Sequence, residues 1–90
     1  MRFEWDRDKA KRNLSKHGVS FEDAATAFGD PLSLTIFDPD HSDDEDRFIL
    51  MGSTGAGLLV VVAHVERGGV VRIISARLAS KRERRTYETG

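Results

Sequence analysis

Residues 58–77 read Leu58-Leu59-Val60-Val61-Val62-Ala63-His64-Val65-Glu66-Arg67-Gly68-Gly69-Val70-Val71-Arg72-Ile73-Ile74-Ser75-Ala76-Arg77. Two runs rich in Val and Ile flank Arg67-Gly68-Gly69, the pattern of an antiparallel hairpin whose strands, 58–66 and 70–77, each bury at least one face. Arg72 sits in the middle of the second run and Arg77 at its end. Both must point where a permanent positive charge is tolerated. A guanidinium holds its proton too tightly to act as a base at pH 7. Its natural work is planar, two-pronged binding of a carboxylate or a phosphate.

Upstream of this hairpin, strands are predicted over 32–37 and 47–52, the latter joined to the hairpin by Ser53-Thr54-Gly55-Ala56-Gly57. Downstream, Ser80 and Glu83 form a capping box for a helix over 81–88, which is basic and apolar only at Tyr87. At the start, Phe3-Glu4-Trp5 reads as a short extended segment, and Asp6 caps a helix over 7–17 that Gly18 closes. Ala10, Leu14 and His17 share one face of that helix. A second helix begins at Ser20, presents Phe21, Ala24, Ala25 and Phe28, and ends at Gly29-Asp30-Pro31. The expected fold is α+β: a curved antiparallel sheet of three to four strands, two N-terminal helices on one face, and a C-terminal basic helix.

The 90 residues make one domain, 1–90, with a modest core. No apolar run approaches a membrane span, and the N-terminus lacks a signal-peptide core, so a cytoplasmic protein is expected. The absence of cysteine excludes disulfides and thiolate metal sites. A formal net charge of −1 conceals segregation: residues 38–46 hold six acids, whereas 7–17 hold five bases against one acid and 72–85 six against one. Two basic segments around an acidic one suggest either a positive surface patch for nucleic acid, with Lys16, Lys81, Arg82, Arg84 and Arg85 as candidate contacts, or solvated helix faces beside an acidic loop.

Register decides which charges meet. With Glu66 opposite Gly69 and Gly52 opposite Leu58, Arg47, Ala63 and Arg72 form one row across three strands. Glu45, opposite Val65, shares that face, while His64, Val71 and Val62 take the other. Two arginines over an alanine need an anion between them. Either Glu45 supplies it, in a structural Arg–Glu–Arg cluster, or a phosphate does, with Glu45 orienting the fork. Arg77 lies outside the row. Among proton-transfer groups, His17 at a helix end suits a carbonyl partner and His64 a packed core. His41, opening the loop that feeds Arg47, is the better acid–base candidate. Tyr87 offers a phenol for a phosphate or a base. Asp38, Asp40, Asp43 and Asp44 lack the spacing of a calcium loop, so no metal site or cofactor is expected.

Phe3-Glu4-Trp5-Asp6, the run from Asn13 to Glu22, Phe28-Gly29-Asp30-Pro31, His41-Ser42 and Glu45-Asp46-Arg47 form a set of short motifs. The set continues in Arg72-Ile73-Ile74-Ser75-Ala76-Arg77 and Glu83-Arg84-Arg85-Thr86-Tyr87-Glu88, and so covers nearly the whole chain in order. In these motifs the chain resembles the BrnT-type toxins of bacterial type II toxin–antitoxin systems. The resemblance implies a RelE-like fold and a metal-independent RNA endonuclease that blocks translation. The ribose 2′-OH would attack the adjacent phosphate, giving a 2′,3′-cyclic phosphate and a 5′-OH. It also implies a BrnA-type antitoxin with a ribbon-helix-helix DNA-binding part that represses the shared operon. By position, Arg77 and Tyr87 are the closest matches to the catalytic pattern of RelE-like ribonucleases. Arg72 is added from the cross-strand row together with its matching segment, and Arg47 and Glu45 from theirs, with His41 or Glu45 taking the 2′-OH proton. The competing readings are a non-catalytic basic module that binds RNA or protein, and a degenerate toxin that keeps only antitoxin binding.

Overall fold

The computed structural model describes residues 1–41 and 45–90. Its elements run β1 (Arg2–Glu4), α1 (Arg7–His17), α2 (Phe21–Thr26), a 3-10 turn (Ala27–Gly29), β2 (Leu34–Asp38), a second such turn (Pro39–His41), β3 (Arg47–Ser53), β4 (Leu59–Arg67), β5 (Val70–Leu78) and α3 (Lys81–Thr89). The sheet has five strands in the order β1-β5-β4-β3-β2. It is mixed, because β1 pairs with β5 in parallel while the other pairs are antiparallel. The expectation of three to four antiparallel strands is thereby corrected. A three-residue segment is too short to show alternation, and β1 becomes a strand only because the edge of β5 offers it a ladder.

The helices end where their caps dictate. Asp6 accepts the Lys9 N–H at 3.0 Å, and Gly18, at φ 71°, closes α1. Ser20 caps α2 through the Asp23 N–H at 3.0 Å. Phe21, Ala24 and Ala27 are fully buried against Val60, Val62, Val71, Ile73 and Ala76, with Phe3, Trp5 and Phe28 packed around them. Each large side chain so buried contributes about 1.5–3 kcal/mol. His64 belongs to this core, edge-on to Phe28 at 4.8 Å and stacked with Phe48 at 6.1 Å, and burial pushes its imidazole below the ordinary range. On α1 the buried residue is Asn13, whereas Leu14, expected on the apolar face, is half-exposed. No helix among the described residues is long and apolar enough to cross a membrane.

Both hairpin registers differ from the expected ones by two residues. Gly68 and Gly69 adopt positive φ (53° and 82°), so the turn has two residues and Arg67 pairs with Val70. In the preceding loop Thr54 is buried, with its N–H bonded to the Leu58 carbonyl and its hydroxyl accepting the Leu58 N–H. Pairing therefore starts at Ser53 and Leu59. The two slips run in the same sense and each spans two residues, so Arg47 and Arg72 keep their face. The row is Arg47–Val65–Arg72, with Val65 where Ala63 was expected. A bulge on β5 then places Ile74 between Ile73, opposite His64, and Ser75, opposite Ala63.

Helix α3 buries no residue. It is held by polar contacts: Glu83 closes the capping box with Ser80 and takes both prongs of Arg77, at 2.8 and 2.9 Å. Led by the Arg77 contact, these bonds lower the Glu83 carboxyl to about 2. A depressed carboxylate stabilises above its unfolded pKa, and that contribution disappears as pH falls through the folded value. Circular dichroism at 222 nm between pH 5 and pH 2 is therefore expected to show loss of α3 helicity. In Glu83→Gln this acid component should already be missing at neutral pH.

Candidate active site

On the sheet face that carries the arginine row lies a cleft of about 450 Å³. Its floor is Val65 and Ile74; Arg47 and Arg72 rise from β3 and β5 on either side of Val65. Glu45 approaches from the segment before β3, Asp40 and His41 from the 3-10 turn after β2, and Lys9 from α1. Four of the expected catalytic residues, Arg72, Arg47, Glu45 and His41, thus share one cleft.

Their partners differ from those expected. Glu45 does not bridge Arg47 and Arg72. Its carboxylate takes a two-pronged hydrogen bond from Arg67, which the tight Gly68-Gly69 turn places at the end of β4. That bond, with weaker help from Arg72 and Arg47, holds the Glu45 carboxyl below the usual carboxylate range. Arg72 lies 3.5 Å from Glu4, its neighbour in the parallel β1–β5 register. The Arg–Glu–Arg cluster is therefore replaced by two separate pairs, and both arginines of the row still border the cleft.

His41 Nδ1 lies 3.0 Å from Asp38 Oδ2, and Asp38 Oδ1 accepts the Asp40 N–H at 3.2 Å. Asp38 thus builds the turn and orients the imidazole, leaving Nε2 as the nitrogen not engaged by this carboxylate. In the sequence Asp38 stands only as one of four acids that lack the spacing of a calcium loop, and Lys9 has no expected role beyond the basic face of its helix. The signal for Lys9 was its place among the α1 bases; the signal for Asp38 was its spacing of three from His41. Among the described residues no cluster of three or more His, Cys, Asp or Glu could hold a metal; Asp43 and Asp44 lie outside them.

Arg77 and Tyr87 are placed elsewhere. Arg77 is spent on Glu83. The Tyr87 hydroxyl donates to Asp30 Oδ2 at 2.5 Å; Asp30 also accepts the Ser53 N–H at 2.8 Å and the Leu32 N–H at 2.9 Å. The Tyr87 bond, followed by those two, lowers the Asp30 carboxyl, and Asp30 in turn raises the Tyr87 phenol. Tyr87 therefore acts as an anchor of α3. Lys81, Arg84 and Arg85 are exposed on that helix, and Arg82 borders a separate apolar cleft with Ile36, Ile49 and Met51. Lys16 lies by a cleft along α1 that includes Lys9.

This is a small α+β protein with an arginine-rich, histidine-bearing cleft on a mixed sheet. Over residues 5–83 the chain matches the family described as ribonuclease toxin, BrnT, of type II toxin-antitoxin system, and it belongs to that family. The match ends at Glu83, short of Tyr87. The chain is also similar to the ribonuclease toxin BrnT of Brucella abortus, solved at 1.1 Å resolution. The likeness has a TM-score of 0.65 and 25% identity, and covers 90% of this chain and 99% of that one. No curated protein sequence matches the chain significantly. Membership in a type II toxin–antitoxin family implies a protein antitoxin as partner.

Proposed function

We propose that this chain cleaves RNA without a metal ion, in the manner of RelE-like ribonucleases, and that Arg47, Arg72 and His41 carry the chemistry. The supporting observation is their convergence on one cleft from three elements, with Asp38 orienting His41. His41 Nε2 takes the proton of the ribose 2′-OH, O2′ bonds to the adjacent phosphorus, and the P–O5′ bond breaks. Arg47 and Arg72 stabilise the charge that grows on the phosphoryl oxygens. A second proton donor completes the 5′-OH, leaving a 2′,3′-cyclic phosphate on the other fragment. Glu45, ionised and engaged by Arg67, fits the role of holding the cationic wall better than that of the base. The partner is a BrnA-type antitoxin with a ribbon-helix-helix part, and the setting is the bacterial cytoplasm, where cleavage blocks translation.

The test is digestion of a defined RNA in the presence of EDTA with both product ends mapped. Cyclic phosphate and 5′-OH ends are expected. Activity that EDTA abolishes, or products ending in 5′-phosphate, would overturn the mechanism.

A further inference from the structure

Five bases lie on α1, and the structure divides them. Arg7 and Lys11 border a groove shared with α2, where Glu22 stands beside them. Lys9, Arg12 and Lys16 border a cleft of about 300 Å³ between α1 and β5, whose opposite wall is Ile74 and Ser75 at the bulge. This cleft and the active-site cleft have Lys9 and Ile74 in common, so they adjoin at these two residues. Among the described residues none of these three bases has an ion pair with an acid. Their spacing of three and four residues keeps them on one side of the helix over about 10 Å. A row of cations without a close ion-pair partner among the described residues, along a cleft that adjoins the candidate active site, is suited to a phosphate backbone running lengthwise.

We infer that Lys9, Arg12 and Lys16 form a rail for the flanking phosphates of a single RNA strand, so that the substrate leaves the active site along α1 and not along the basic helix α3. The inference rests on the ribonuclease reading of the adjoining cleft. The bases of α3 border neither part of the channel. An acidic segment of a protein partner is the alternative occupant, and the test separates the two.

The probe is a single-stranded RNA fully 2′-O-methylated, which has no nucleophile, bound to the intact chain and followed by fluorescence anisotropy across a salt series. Three variants each remove two charges: Arg12→Gln with Lys16→Gln, Arg7→Gln with Lys11→Gln, and Arg84→Gln with Arg85→Gln. Removing one cation from a phosphate of a single strand lowers the slope of log K against log salt by about 0.7. The first variant is expected to flatten the slope by about 1.4 and weaken binding about tenfold near 0.1 M salt. The other two should keep the parent slope. An equal change in all three, a larger one in the α3 variant, or none in the first overturns the rail. So does a first variant that loses only antitoxin binding. Failure of the ribonuclease reading shows separately: a parent chain that does not cleave unmodified RNA, yet gives the expected slopes, retains the rail and loses the chemistry.

Discussion

Arg72→Ala is expected to lower metal-free RNA cleavage by about 10²- to 10³-fold, the usual cost of removing one donor to a developing oxyanion. The fold should survive. The visible ion pair of Arg72 is to Glu4, both side chains are at least one-third exposed, and such pairs contribute about 1 kcal/mol or less. A urea melt close to that of the parent, combined with the loss of cleavage, would show that the charge is used on the phosphate. Arg72→Lys should recover only part of the rate, because an ammonium cannot present two parallel N–H groups. Arg77→Ala is the informative contrast. Its guanidinium is committed to Glu83, so the change should appear in the helicity of α3 with cleavage largely retained. Cleavage by Arg72→Ala within tenfold of the parent would remove this arginine from the chemistry.

Much of this site was legible because it rests on local rules. The caps at Asp6, Ser20 and Ser80 and the stop at Gly18 are short-range signals, and each lies where the sequence pattern puts it. The convergence of Arg47 and Arg72 was legible for a subtler reason. Face is preserved under any even slip, so the row tolerated two register errors and changed only its middle residue. What alternation cannot carry was lost. The ion pair of Glu45 with Arg67 depends on where a turn closes, and the bulge at Ile74 breaks the period on which the reading relies. Tyr87 and Arg77 were singled out by kinship, yet the bonds to Asp30 and Glu83 that occupy them join residues 57 and 6 positions apart. The parallel strand β1 left no periodic trace at all. A short edge strand acquires its identity from its neighbour, and the same neighbour explains the one polar residue buried in α1.

Strand β1 covers β5 only as far as Arg72, so the ladder groups of β5 beyond it face α1. Asn13 takes the place of a strand there. Its Oδ1 accepts the Ala76 N–H at 3.1 Å, and its Nδ2 donates to the carbonyls of Ala76 at 2.8 Å and Val19 at 2.9 Å. One side chain thus satisfies three backbone groups from two segments, and it is only 7% exposed. This is why an asparagine, where the apolar pattern wanted leucine, faces inward. Asn13→Ala leaves one N–H and two carbonyls without partners, each costing about 1–3 kcal/mol when water cannot replace the bond. We expect a loss of about 3–5 kcal/mol, against a total stability on the order of 5–13 kcal/mol for a chain of this length. Asn13→Asp should be worse at pH 7, because it retains the acceptor for Ala76 but turns a carboxylate toward two carbonyls. Such a carboxyl would have a raised pKa in the folded state, so its deficit relative to the parent should shrink as pH falls. Urea midpoints at pH 7 and pH 5 measure both effects. An Asn13→Ala midpoint shifted by less than about 1 kcal/mol equivalent would mean that water reaches the edge of β5. In that case α1 is held by the core around Phe21 alone. A large shift would make this amide the clasp that fixes α1, and with it Lys9, against the strand that carries Arg72.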